Sequence, residues 1–133
     1  MKIINIKTHS HNEFIDITSQ VQGAVSESGA DSGICVVYVP HTTAGVTINE
    51  NADPSVQKDI LMALRKAVPD SLSYSHSEGN SPGHVKSSLV GCSSQIIIEH
   101  NQLQLGTWQG IFFCEFDGPR SRKCHISIIS QKD

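Results

Sequence analysis

The sequence predicts a β-rich α+β domain with packed antiparallel or mixed sheets and two or three helices. Short segments in which apolar and polar residues alternate recur along the chain, as in strands with one buried face. Two or three other segments repeat their apolar residues at helical spacing. Because no repeat, low-complexity tract or linker divides the 133 residues, we expect a single domain over residues 1–133.

The predicted strands are runs of alternating or continuous apolar residues. The segment "GICVVYV" is continuously apolar and rich in β-branched residues, which favours a strand covered on both faces. Asn101 lies in "EHNQ" and suits a turn position with positive φ between two later strands. The predicted strands cover 2–7, 12–17, 33–39, 44–50, 94–99, 103–105, 110–116 and 123–130.

The helices are predicted from capping residues and apolar spacing. Asp53 is suited to cap the clearest helix, and Pro54 occupies its first position, where a missing N–H breaks no hydrogen bond. Thr18 is the predicted cap of an earlier helix that Gly29 can end. A third, short helix is predicted for "HVKSSLVG", residues 84–91.

Composition excludes several classes of function. The net charge of −3 gives no basic field, so we expect neither nucleic-acid nor anionic-membrane binding. The apolar runs are too short to span a membrane, and the alternating N-terminal segment is unlike a signal peptide. Four cysteines occur without a CxxC pair, and three of them lie in strand-like runs, which favours small buried side chains in a reduced, cytoplasmic protein.

The segment "YSHSEGNSPGH", residues 74–84, has no aliphatic side chain to order it but carries two histidines. His76, His84 and His41 lie where polar backbone rich in glycine or proline meets the end of an element, a common position for binding residues. Three neutral imidazoles can hold a Zn²⁺-like ion and leave one coordination position open. Their spacing matches none of the compact zinc signatures, so the residues alone leave the metal site open.

Acidic and amide residues form a second set of candidates. Glu50 and Asn49 end a predicted strand, where nothing structural requires them, and can approach a ligand or orient a histidine. Glu115 lies in "GIFFCEF", among residues expected in the core. Such a carboxylate is either paired structurally or shifted in pKa for acid–base work, and the sequence leaves both readings open.

Two basic clusters are candidates for binding phosphate. Lys86 lies near the start of the predicted short helix, where free N–H groups favour an anion. Arg120 and Arg122 lie in "PRSRK", just before the last strand. A solvated turn and an arginine site for phosphate look the same in sequence, so both readings of this cluster stay open.

Three segments together resemble the YjbQ family, also called UPF0047, over about residues 2–130. They are "HTTAGVTINENADPSVQKDI", "YSHSEGN" with "GHVKSSLVG", and "GTWQGIFFCEFDGPRSRK". Asn101 stands where the family signature usually has glycine, which affects only the turn. The resemblance implies a compact α+β fold assembled as a homotrimer, with pockets near the subunit boundaries. It also implies His41, His76 and His84 as ligands of a divalent metal ion.

The resemblance further implies secondary thiamine-phosphate synthase activity, which joins a pyrimidine methyl diphosphate to a thiazole phosphate and releases pyrophosphate. In this hypothesis the substrate is a small, phosphorylated molecule. The remaining candidate roles are catalysis or polar support by Glu50 and Glu115, phosphate binding by Lys86, Arg120 and Arg122, and lining of the pocket by Asn49, Trp108 and Gln109. The alternatives are another metal-assisted reaction, such as hydrolysis of a small compound, and a trimer that binds a metal or small ligand without catalysis.

Overall fold

The computed structural model describes residues 1–132, which form eight strands and three helices and confirm the predicted α+β class. The strands are β1 (Lys2–Lys7), β2 (Glu13–Asp16), β3 (Gly33–Tyr38), β4 (Ala44–Glu50), β5 (Ser93–Glu99), β6 (Gln102–Leu103), β7 (Gln109–Glu115) and β8 (Ser121–Ser130). The helices are α1 (Thr18–Ser28), α2 (Pro54–Ala67) and α3 (Ser81–Val90). None of these helices is both long and apolar enough to cross a membrane.

The strands form two antiparallel sheets. The larger sheet has the order β1-β8-β3-β5-β6, and the smaller has the order β2-β7-β4. The main core combines residues of both sheets with the apolar face of α1, including Val37, Ile126 and Phe113. This burial explains the alternating pattern of β1 and β8, because only one face of each lies against the core.

The central strand of the smaller sheet, β7, is buried on both faces. Its second face carries Phe112, Cys114 and Phe116, which pack against Leu61 and Leu64 of α2 and complete a second apolar cluster. Six of the seven residues of β7 are therefore buried, which accounts for the continuous apolar run in its sequence.

The outer face of the larger sheet leaves apolar side chains exposed. Ile34 of β3 pairs with Ile129 of β8 on one side and with Ile97 of β5 on the other. These three side chains form one row across the sheet, and each is at least two-fifths exposed. On the same face, Tyr38 of β3 pairs with His125 of β8, and their ring centroids are 6.2 Å apart. This pair lies four residues along the two strands from Ile34 and Ile129.

Most predicted boundaries agree with the structure, and two differ for identifiable reasons. Asp53 caps α2 as predicted, since its Oδ1 accepts a hydrogen bond from the Ser55 amide at 2.9 Å. The prediction of Thr18 as a cap is wrong: it is the first residue of α1, and its hydroxyl donates to Asp16 Oδ1 at 2.6 Å. Helix α3 begins at Ser81, three residues before its predicted start, because Pro82 is well tolerated in the first helical turn.

Candidate functional site

The histidine pocket is a cavity of about 410 Å³ beside the N-terminal ends of β4, β8 and α3. Three segments form it: the loop after β3, the segment that leads into α3, and the turn that leads into β8. Its lining residues are Pro40, His41, Thr42, Thr43, His76, Glu78, Asn80, His84, Arg120 and Arg122. The fold thus brings the three predicted metal ligands into one pocket with two of the three predicted phosphate-binding residues.

The floor of the pocket is fixed by a buried ion pair. Arg122 donates from Nε to Glu115 Oε1 at 2.8 Å and from Nη2 to Glu115 Oε2. Thr8 donates to the same carboxylate at 2.8 Å, and Arg122 Nη2 also donates to Thr43 Oγ1 at 2.9 Å. Because Glu115 is fully buried and bonded to Arg122, the structure favours the paired reading of this carboxylate over an acid–base role.

A second hydrogen-bonded network holds one wall of the pocket. Arg120 donates from Nη2 to Asp117 Oδ2 at 2.6 Å and from Nε to the Asp117 carbonyl at 2.8 Å. Asn80 Nδ2 donates to the same Asp117 oxygen at 2.9 Å, which fixes the orientation of the Asn80 amide. Its Oδ1 is buried and has no hydrogen-bond partner within residues 1–132. This wall therefore offers an uncommitted acceptor close to the bound Arg120 guanidinium.

The three histidines differ in their surroundings. The rings of His76 and His84 meet edge to face, with centroids 5.4 Å apart, and His76 Nε2 lies 3.9 Å from Glu78 Oε2. His41 Nε2 accepts a hydrogen bond from the backbone N–H of Lys123 at 2.9 Å. Burial and the nearby Arg122 guanidinium lower the pKa of His41. The neutral His41 ring therefore carries its proton on Nδ1 and can act as a donor there.

The arrangement of these side chains does not fit a three-histidine metal centre. In the part of the chain that the structure describes, no group of three or more His, Cys, Asp or Glu side chains is placed to hold a metal ion. The imidazoles have suitable chemistry, but the lone pair of His41 Nε2 is already used by the Lys123 amide. The groups of this pocket that can bind a ligand are therefore its arginines and imidazoles.

A second cavity, the serine compartment, continues from the histidine pocket along α3. It has a volume of about 500 Å³ and is lined by His41, Thr42, Ala44, His84, Ser87, Ser88, Gly91 and Cys92. His41, Thr42 and His84 line both cavities and form the boundary between them. The site therefore has two adjoining compartments, one that contains arginines and one that does not.

Several predicted site residues lie elsewhere. Lys86 lines neither compartment: its side chain is buried on α3, and Nζ donates to Asn12 Oδ1 at 2.9 Å. Glu115 also lines neither compartment, but it is hydrogen-bonded to Arg122, which lines the histidine pocket. The remaining predicted residues outside the two compartments are Asn49, Glu50, Trp108 and Gln109, which lie at the far end of the β4–β7 pair. Since Ala44 pairs with Glu115 and Glu50 pairs with Gln109, seven-residue strands separate that end from the pocket by about 20 Å.

Sequence reasoning missed three residues that shape the pocket. Asp117 holds Arg120 and Asn80, and Thr43 binds Arg122. The signal that could have found Asp117 is its position in "EFDGPR", between the core glutamate and the arginine cluster. For Asn80 the signal is its place directly before Ser81-Pro82, where a helix start was overlooked.

Comparison with known proteins identifies the family. The family described as UPF0047 protein YjbQ-like matches residues 2–131. This chain belongs to the YjbQ-like family. Among its YjbQ-like relatives, UPF0047 protein MJ1081 of Methanocaldococcus jannaschii is 57% identical over 127 residues, which are 96% of this chain and 92% of the relative. YugU of Bacillus subtilis is 51% identical over 130 residues, which are 97% and 98% of the two chains.

Solved YjbQ-like structures have the same fold. The crystal structure of an uncharacterised YjbQ/UPF0047 protein from Clostridium acetobutylicum superposes with a TM-score of 0.96 at 56% identity, over 97% of this chain and 100% of that one. Protein TT1486 of Thermus thermophilus, described as a conserved hypothetical protein, superposes with a TM-score of 0.90 at 37% identity, with the same coverage. The YjbQ-like fold is therefore shared by chains that differ at most positions.

Proposed function

We propose that the histidine pocket binds the diphosphate of a small activated molecule and promotes its departure, in a transfer of the thiamine-phosphate synthase type. The observation that carries this proposal is the convergence of Arg120, Arg122 and three imidazoles on one cavity. Guanidinium groups match phosphate oxygens in charge and geometry, and the imidazoles can exchange protons near neutral pH. The pocket thus combines an anion-binding element with candidate general acids.

Both guanidinium groups are held in place before a ligand arrives. Asp117 binds Arg120 through Nε and Nη2, and Glu115 binds Arg122 through the same pair of nitrogens. Within residues 1–132, neither arginine uses Nη1 in a hydrogen bond. The Arg120 side chain is half exposed, so its free Nη1–H groups are open to a diphosphate without rearrangement, which limits the entropy lost on binding. Arg122 is almost fully buried and adds positive charge at the base of the pocket.

The proposed step breaks the C–O bond between the pyrimidine methylene carbon and the diphosphate. The diphosphate leaves with both electrons of that bond, and the lone pair of the thiazole nitrogen forms the new C–N bond, so that the ring becomes a cation. Negative charge grows on the leaving oxygen, where Arg120, Arg122 and the neutral Nδ1–H of His41 can stabilise it. His76 and His84 line the same pocket and are the candidate proton donors to the leaving group.

A divalent metal ion and a homotrimer are separate parts of the proposal. Because the histidines do not fit a metal centre as arranged, dependence on Zn²⁺ is tested in a separate arm of the assay.

Support for a homotrimer comes from the exposed row of Ile34, Ile97 and Ile129, since apolar patches on sheet faces commonly mark interfaces. The proposed occupant of this face is a second copy of the chain.

The assay supplies purified protein with the pyrimidine methyl diphosphate and the thiazole phosphate, and it measures thiamine phosphate and pyrophosphate separately. Parallel reactions contain a chelator, Mg²⁺ or Zn²⁺. We expect His84→Ala and Arg120→Gln to reduce product formation at least tenfold, whereas His9→Ala, which changes an exposed histidine in the turn after β1, is expected to be neutral. Equal activity of His84→Ala and His9→Ala, or product no greater than in a metal-only blank, would refute the proposal.

A second candidate function is hydrolysis of the same ester. The His76 side chain is 42% exposed, so water reaches the pocket and can replace the thiazole as the nucleophile. Pyrophosphate released in excess of thiamine phosphate, and lost in His84→Ala, would identify hydrolysis as the main reaction. Tight binding of pyrophosphate without turnover of any substrate would instead identify a binding protein.

A further inference from the structure

We infer that Asp117 is a positioning residue of the site, which holds Arg120 in the pocket and fixes the start of the helix that carries His84. This inference rests on the proposed function, because it names the residue that sets the phosphate-binding group and a proton donor in one arrangement. Among the described residues, those that line the two compartments do not include Asp117. Asp117 therefore acts on a ligand through Arg120 and α3.

A single carboxylate oxygen of Asp117 serves two sides of the pocket. Its Oδ2 accepts a hydrogen bond from Arg120 Nη2 at 2.6 Å and another from Asn80 Nδ2 at 2.9 Å. The Asp117 side chain is 13% exposed, whereas that of Arg120 is 50% exposed. A half-exposed arginine without an anchor loses rotamer freedom when it binds a ligand, so the bond to Asp117 reduces that loss.

The bond to Asn80 leads directly to His84. Asn80 precedes the first residue of α3, and its carbonyl accepts hydrogen bonds from the Gly83 amide at 3.0 Å and the His84 amide at 3.4 Å. Gly83 lies so close to the chain before Asp117 that a Cβ there would be 2.9 Å from the Phe116 carbonyl oxygen. The orientation of Asn80 therefore sets the first turn of α3, and with it the position of the His84 side chain.

The backbone of Asp117 is fixed by the buried ion pair. Its amide donates to Glu115 Oε2 at 3.1 Å, and the Glu115 carboxylate binds Arg122. Arg120 Nε in turn donates to the Asp117 carbonyl at 2.8 Å. The two guanidinium groups are thus held by separate carboxylates, so loss of the Asp117 side chain would free Arg120 and leave Arg122 in place.

Position and charge predict opposite effects of a change at Asp117. Its negative charge repels a phosphate, so by electrostatics alone its removal would strengthen the binding of pyrophosphate. Among the described residues, only Oδ2 of this carboxylate accepts hydrogen bonds from side chains, and an amide oxygen can take its place. Asp117→Asn therefore keeps both contacts and loses the charge, whereas Asp117→Ala loses the contacts as well.

The first measurement is calorimetric titration of pyrophosphate in the presence of a chelator. We expect Asp117→Ala to bind about tenfold more weakly than the wild type despite its more positive charge, and Asp117→Asn to stay within about threefold. Asp59→Ala removes an exposed acidic side chain from α2, outside the residues that line the compartments, and should bind as the wild type does. Unchanged or tighter binding by Asp117→Ala, or an equal loss in Asp117→Asn, overturns the inference.

The second measurement is the NMR signal of the His84 imidazole ¹³C–¹H group in the ligand-free protein at about pH 8, well above the ordinary pKa of histidine. The signal is identified by its absence in His84→Ala. Asp117→Ala and Asn80→Ala should both shift it, because each breaks the hydrogen bond that fixes the start of α3, and Asp117→Asn should shift it less. A signal that stays in place in Asn80→Ala overturns the inference, and this variant decides the point even if Asp117→Ala does not fold.

The inference and the proposed function fail separately. If the wild type does not bind pyrophosphate, the proposed function fails, while the His84 signal still decides whether Asp117 fixes the start of α3. If the wild type binds pyrophosphate and Asp117→Ala binds it equally well, the inference is overturned and the proposed function stands.

Discussion

Arg122 and Glu115 join the two sheets through a two-pronged ion pair in the protein interior, with Arg122 on β8 and Glu115 at the end of β7. Both side chains are almost fully buried, and Thr8 and Thr43 satisfy further hydrogen bonds of the pair. Arg122 also lines the histidine pocket. The Arg122 guanidinium thus links the two sheets and also lines the candidate ligand site.

Removal of the Glu115 charge should destabilise the protein strongly. Glu115→Gln leaves Arg122 buried without a counter-charge, and such a loss commonly lowers the free energy of unfolding by about 3–5 kcal/mol. The measurement is urea unfolding at a fixed protein concentration. Glu27→Gln is the matched control, because it removes the exposed ion pair with Lys2 and should cost less than about 1 kcal/mol. Similar losses for the two variants would contradict the structural role of the buried pair.

The same pair predicts a dependence of stability on pH. Burial alone would raise the pKa of Glu115, but hydrogen bonds from Arg122 and Thr8 outweigh it and lower the pKa. A carboxyl group with a lowered folded-state pKa stabilises the protein above its unfolded pKa, about 4.3, and loses that contribution as pH falls through the folded value. We expect the difference in urea midpoint between the wild type and Glu115→Gln to shrink below about pH 4.3. A difference that stays constant down to about pH 2, well below that unfolded value, would contradict this assignment.

His41 should titrate below the usual range of histidine. Its pKa is lowered by burial and by Arg122, so the ring stays neutral at pH values where exposed histidines become charged. NMR titration of the imidazole ¹³C–¹H signals measures the His41 midpoint directly, for comparison with about 6.5 for an unperturbed histidine. The unfolded chain takes up this proton first, so acidification below about pH 6.5 should also lower stability. A His41 midpoint at or above about pH 6.5 would contradict this description of its environment.

The fold was largely predictable from sequence because its signals are local. Alternation marks β1 and β8, Asp53 caps α2, and Asn101 adopts the expected positive φ of 59°. The start of α3 was missed because the polar residues before His84 resemble a loop, although Pro82 fits a first helical turn.

The site was predicted less well because it depends on contacts between distant residues. Nothing local to Glu115 reveals that Arg122 lies opposite it, seven residues away across a turn. Glu50 and Trp108 were grouped with the histidines, but the antiparallel register of β4 and β7 carries them to the other end of the sheet. A long segment separates β4 from β7 in the chain, so the sequence does not show which of their ends lie together. The distance between these residues and the histidines could therefore be seen only in the folded chain.

The proposed trimer predicts a change in oligomeric state when the exposed sheet face is made polar. Ile97 is 61% exposed and lies in the apolar row with Ile34 and Ile129. Ile97→Lys would place a charge in the proposed interface, where an unpaired charge is strongly unfavourable. Light scattering coupled to size-exclusion chromatography should give a trimer for the wild type and a monomer for this variant. The control is Met62→Lys, which alters an exposed apolar residue on α2 and should leave the mass unchanged.

The most direct test of the central claim is titration of pyrophosphate into the protein in the presence of a chelator. The histidine pocket should bind pyrophosphate without metal, and Arg120→Gln should weaken binding about tenfold, because one free guanidinium N–H set is lost. Lys58→Gln removes an exposed positive charge from α2, outside the residues that line the pocket, and should bind as the wild type does. Equal affinities for all three proteins, or no binding until metal is added, would contradict the account of an arginine-based phosphate site.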